Sequence, residues 1–145
     1  MNRIVKITDQ GAAFLKQGQS WMYRNNLASD ISHFENGCVC DIESESGEYL
    51  GTGLFSKDSH ITVRILTYDR NEEINEDFFR KRIMDAWNFR KTVEKDNLSN
   101  CRVIFGEADF LPGLTVDRYN EVLVTQITCL GLEIRKDMIY RVLLD

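Results

Sequence analysis

Near residue 70 the hydrophobic pattern of this 145-residue chain changes period, and that change constrains the fold more than any other feature. Before it come short β-rich runs: residues 3–8, SWMYRNNLA, CVCDIES, EYLGTGLFS and HITVRILT. Polar turns separate them, among them residues 43–48 with Ser46-Gly47 at the tip. Short strands at regular spacing predict a small barrel or sandwich. Thr8 or Asp9 is placed to cap one short helix through Lys16, which Gly18 ends. Beyond residues 68–73 the period is helical. Asn75 is the N-cap, Glu76 and Asp77 suit the positive end of the helix dipole, and Phe79, Ile83, Ala86, Trp87 and Arg90 share one face. That pattern predicts a helix of about five turns ending near Lys95, its aromatic stripe buried as core. Strands follow at 102–105, 114–118 and 121–128. A second helix after Gly131 places Ile134, Met138, Ile139 and Val142 on one face. The expected fold class is α+β, with a β-barrel over residues 1–70 and a small mixed α/β domain over 71–145.

The only proline, Pro112, stands directly before Gly113 in GEADFLPGLTVDRY. Proline presets φ for the second position of a tight turn, and glycine next to it takes φ > 0 without a Cβ clash. A rigid corner results, with Glu107 and Asp109 on one limb and Asp117 and Arg118 on the other. From spacing alone this is a hairpin corner with a solvated charge rim.

Net charge is −5, spread over both halves of the chain. The basic footprint of an ordinary nucleic-acid binder is therefore missing, and any RNA contact must be a local patch. The acidic residues Asp41, Glu43, Glu45 and Glu48 would repel phosphate. His33 and His60 have no metal-type spacing to the four cysteines, so no metal site is expected. Cys38, Cys40, Cys101 and Cys129 read as free buried thiols, without a neighbouring base to make a nucleophile. The GTG of residues 51–53 lacks a third glycine and a following helix, so it is rejected as a dinucleotide loop and read as a bulge or close backbone approach. No apolar run nears the about 20 residues of a membrane span and no signal peptide is seen, so a cytoplasmic location and no membrane partner are expected.

Three segments carry a family resemblance. GEADFLPGLTVDRY is similar to the GEaDgLPGLxVDRY signature of bacterial S-adenosylmethionine-dependent ribosomal RNA large-subunit cytosine-5 methyltransferases with an N-terminal PUA domain. GTGLFSKDSHITVRILT resembles the end of that family's PUA domain, and EEINEDFFRKRIMDAWNFRK resembles one of its helices; the three stand in the family's order. The resemblance implies a PUA-like RNA-binding barrel, a small middle domain, and a following methyltransferase domain that holds both S-adenosylmethionine and a cysteine nucleophile. The last helix is still periodic at Asp145, so the chain is expected to be the N-terminal, recognition portion, with no catalytic or cofactor-binding residue of its own and no activity alone. Ribosomal RNA and the C-terminal domain are the implied partners; the oligomeric state is open between monomer and homodimer. The rival reading is a stand-alone RNA-binding or protein-adaptor module without catalysis.

RNA recognition combines cations with aromatic faces. Trp21 and Tyr23 share one side of a strand with Arg24 opposite, in a segment similar to the family's G-x-P-W-[VI]-[FY], with Ser20 in place of the proline. Trp21 also reads as barrel core. Arg64, and Lys57 with Ser56 and Ser59, are expected to be better exposed. Arg80, Lys81 and Arg82 spread around the predicted helix as a solvated face. The resemblance further implies that Asp109, Pro112, Gly113, Asp117, Arg118 and Tyr119 wall the cleft toward the following domain.

Overall fold

A computed structural model describes residues 3–145, which divide into one unit up to Glu72 and another from Glu73 to Asp145. In the first unit β1 (Arg3–Ile7) leads into α1 (Asp9–Lys16), β2 (Trp21–Tyr23) and a 3-10 turn at Arg24–Asn26. Then come β3 (Val39–Ser44), β4 (Tyr49–Phe55) and β5 (Ile61–Thr67). The sheet runs β1-β3-β4-β5-β2. β1 lies parallel to β3 and the other pairs are antiparallel.

The chain after β2 returns to β1 through an Ile7–Leu27 bridge. Thr8 N–H donates to the Asn26 carbonyl at 2.8 Å and Ala28 N–H to that of Lys6 at 2.8 Å. These bonds curl the five strands into a half-barrel. Its core gathers Val5, Ile7, Leu15, Met22, Ile42, Phe55, Val63 and Ile65, each worth roughly 1.5–3 kcal/mol when fully buried. Thr8 caps α1 by accepting from Gly11 N–H, as its position predicts. Gly53 sits in β4 where the ladder shifts register, and a Cβ there would lie 2.2 Å from the Arg64 carbonyl oxygen. Close backbone approach is thus the reason for this glycine.

In the second unit α2 (Glu76–Val93) starts at Asn75, whose side chain accepts from Phe78 N–H at 3.0 Å. It ends two residues before Lys95, where a 3-10 turn takes over. Phe78, Phe79, Ile83 and Ala86 are buried; Trp87 and Arg90 are half-buried. An antiparallel sheet of β6 (Asn100–Phe105), β7 (Leu114–Tyr119) and β8 (Val122–Ile127) follows, and α2 packs on β6. The fold class is α+β, as expected.

One expected helix is two. α3 (Leu130–Glu133) stops, and α4 (Lys136–Leu144) begins after Arg135. The break leaves Ile134 57% exposed, while Ile139 and Val142 are buried. Cys40 and Cys129 are buried thiols as expected, but Cys38 and Cys101 are only half-buried. Among the described residues no helix is long and apolar enough to cross a membrane.

Across β6 and β7 the Arg102 guanidinium donates two hydrogen bonds to the Asp117 carboxylate, at 2.8 and 3.2 Å. These bonds hold the Asp117 carboxyl below the usual carboxylate range. A depressed folded-state value means that this stabilisation is full above about pH 4 and is lost as pH falls through the lowered value. Asp117→Asn should therefore flatten the acid limb of a stability-against-pH curve below about pH 4. An unchanged limb would show the pair to be inert.

Candidate nucleic-acid interface

An open groove of about 790 Å³ lies between α1 and the β2 edge of the first unit. Gly11 lets the two approach, since a Cβ there would meet Asn26 Cβ at 3.0 Å and Met22 Sδ at 3.1 Å. Gln10 and Phe14, four residues apart on one face of α1, form one wall. Tyr23, Arg24, Asn25, Asn26 and His60 form the rest. The Arg24 guanidinium donates to the Lys57 carbonyl, and its N–H donates to the His60 carbonyl at 3.1 Å. Side chain and backbone of Arg24 are both anchored.

Among the described residues no carboxylate lines the groove, although the chain has 23 Asp and Glu. It offers two aromatic faces, amides able to donate and accept, and one fixed cation. That set suits a base stacked on a ring and read at its edge, with a phosphate near the guanidinium. Sequence reasoning found Tyr23 and Arg24 but missed Gln10, Phe14, Asn25 and His60. The consecutive amides of Asn25-Asn26 beside an aromatic pair were the available signal.

Several expected positions are corrected. Arg24 does not continue β2 to its opposite face; it opens the 3-10 turn, which carries its side chain to the groove. Trp21 is not barrel core: it is half-buried, and Met22, fully buried, fills the interior instead. Arg64 and Ser56 are not exposed candidates, being only 7% and 6% accessible. β5 is covered on both faces from Thr62 to Thr67, so alternation along it does not separate inside from outside. Lys57 is half-buried, its Nζ donating to the Ser32 carbonyl at 2.9 Å and its N–H to Asn36 Oδ1 at 2.8 Å. It braces Arg24 rather than lining the groove.

The Pro112-Gly113 corner forms as predicted. Leu114 N–H donates to the Leu111 carbonyl at 3.0 Å, and Gly113 has φ +93°. Its charges are not a simple solvated rim. Asp109 and Arg90 make an ion pair at 2.7 Å with side chains 7% and 13% exposed. Asp109 also accepts from Phe105 N–H at 2.7 Å. Pleating divides the other limb: Asp117 and Tyr119 project to one face of β7 and Arg118 to the other. There Arg118 lies over the Trp87 ring at 5.7 Å and borders a second cavity of about 420 Å³. Likewise, Arg80 is tied to Glu76 and Asp145.

The half-barrel has counterparts in known proteins. Residues 5–68 match a PUA-like domain. Beyond this PUA-like unit, the ribosomal RNA large subunit methyltransferase I of Aliivibrio fischeri (strain MJ11) is 34% identical over 132 residues, covering 90% of this chain and 33% of its own length. The protein of that name from Klebsiella pneumoniae (strain 342) is 35% identical over 117 residues, 80% of this chain and 29% of its own. The chain spans about a third of the length of the curated relatives it matches. Among solved structures, that of SMU.776 in complex with SAH superposes with a TM-score of 0.84 at 17% identity, over 97% of this chain and 36% of that one. At that identity the likeness concerns the fold.

Proposed function

We propose that this chain is the RNA-recognition portion of an S-adenosylmethionine-dependent ribosomal RNA methyltransferase, with cytosine C5 as the methylated atom. The carboxylate-free groove of the PUA-like unit is the observation that carries this reading. In an acidic chain, a groove that combines Tyr23, Phe14, Arg24 and amides is where phosphate repulsion is least and base stacking is available. The similarity to ribosomal RNA methyltransferases supports RNA as the partner; the cytoplasm is part of the proposal as the place of action. Asp117 and Tyr119, on one face of β7, serve as a wall toward the remaining two thirds of the protein, held by the Pro112-Gly113 turn and the buried Asp109, while Arg118 packs on the other face. Exposed Tyr119, Val122 and Val124 on the same sheet support a packed surface there.

S-adenosylmethionine does not fit the residues described. Gly51 to Gly53 lie inside β4, and the space a Cβ of Gly53 would need is taken by the Arg64 backbone. A cofactor cradle needs a loop entering a helix N-terminus. In this reading binding of the cofactor and methyl transfer belong to the rest of the protein, and calorimetric titration of this chain with S-adenosylmethionine is expected to show no tight binding.

RNA titrations of the 145-residue chain at several salt concentrations test the reading. Tyr23→Ala should weaken binding of unpaired ribosomal RNA by about tenfold, the worth of one stacked base. Arg24→Ala should weaken it across sequences and reduce the salt slope by about 1. Affinity unchanged in both variants, with circular dichroism showing folded protein, would refute the groove as the RNA site.

A further inference from the structure

In the second unit Phe110 breaks two rules at once. It is a bulky residue in the left-handed region, with φ +58° and ψ +30°, and it is 63% exposed. Left-handed backbone at a residue with a Cβ costs about 1–2 kcal/mol, and an exposed phenyl ring recovers little of that through burial. Glycine, which stands at this position in the signature the segment resembles, would avoid the cost. The conformation is imposed by its surroundings. Phe110 N–H donates to the Glu107 carbonyl at 3.1 Å, Leu111 N–H to that of Gly106 at 3.0 Å, and the buried Asp109 pair and the Pro112-Gly113 turn fix either side.

What accompanies the ring indicates its use. The Arg82 guanidinium lies 5.5 Å from its centroid, and 5.0 Å from that of Phe78. An exposed aromatic plane beside a guanidinium is the chemistry that holds an unstacked nucleobase. Glu107 and Ala108, exposed just before it in the chain, are acidic and small and do not extend the ring into an apolar surface; Phe105, the next exposed aromatic along the chain, is matched to its own cation, Arg102. A single plane matches one base better than it matches a protein interface, which needs a contiguous patch.

We infer that Phe110 is a stacking platform for one unpaired RNA base, a contact in addition to the groove of the PUA-like unit. This inference rests on the reading of the chain as an RNA binder. Because Glu107 repels phosphate, the contact is made through the base plane and its contribution is nearly independent of salt.

The test uses Phe110→Ala, Phe110→Gly and Phe110→Trp, with fluorescence-anisotropy titration of single-stranded and fully paired RNA and a thermal melt of each protein. Ala keeps the backbone strain and loses the ring; Gly loses both. Affinity for single-stranded RNA should fall by about tenfold in both, at low and high salt alike, although the Gly variant melts about 5 °C above the Ala variant. The Trp variant should bind as wild type does. If affinity follows melting temperature, or if neither variant loses affinity, Phe110 is structural or contacts protein and the proposal falls. If the wild-type chain binds no RNA, both readings fall; loss in Tyr23→Ala without loss in Phe110→Gly sinks this one alone.

Discussion

Gly53→Ala should strongly destabilise the PUA-like unit. The added methyl would lie 2.2 Å from the Arg64 carbonyl oxygen, 2.8 Å from its carbonyl carbon and 3.0 Å from Val63 Cγ1. Two of these atoms are backbone of the adjacent strand, so no rotamer change relieves the overlap. Relief requires opening the β4–β5 ladder, whose far side carries β2 and with it Tyr23 of the groove. Overpacking a core against side chains costs about 1–3 kcal/mol; against a fixed ladder about 3–5 kcal/mol is expected, a large part of a small domain's stability. Thermal melting should show a midpoint lower by at least about 12 °C. Gly47→Ala is the control: Gly47 has φ +92° but nothing within 4 Å, so only backbone strain of about 1 kcal/mol applies. Equal midpoints for the two variants would refute the steric argument.

Asp109→Ala should be the most damaging truncation of a charged side chain in the second unit. It removes the carboxylate that satisfies both Arg90 Nη2 and Phe105 N–H, each at 2.7 Å, and leaves a guanidinium 13% exposed with one remaining bond, Nε to the Arg102 carbonyl at 2.7 Å. Breaking a buried ion pair from one side costs about 3–5 kcal/mol, mostly because the partner's charge stays buried. Urea unfolding should report a loss of that size. Asp109→Asn, which keeps an acceptor for Phe105, should lose less. The double variant Arg90→Met with Asp109→Ala should recover part of the loss, since no unpaired charge remains. A double variant no more stable than Asp109→Ala would contradict this account.

Local chemistry was readable in the sequence. Thr8 and Asn75 cap the helices they precede, Pro112-Gly113 makes its turn, and Gly53 is where two backbones meet. Each is decided within a few residues of chain or by the missing Cβ alone. Arg64 was misjudged because a strand buried on both sides has no polar face for alternation to reveal. The Arg90–Asp109 pair spans 19 positions and the groove joins residues 10 to 60, so both depend on packing that periodicity does not encode. The division between α3 and α4 had a faint signal: Asp137 lies in the first turn of α4, where an acidic residue suits the dipole.

The strand order of the PUA-like unit gives residues 3–28 a protective role. β1 closes one border of the β3–β4–β5 meander, β2 closes the other, and residues 26–28 fold back over β1. A version of the protein begun after this region would present two raw strand borders, β3 on one side and β5 on the other. Unsatisfied borders of that kind recruit other chains. Removing residues 3–28 thus turns a closed sheet into a nucleus of self-association.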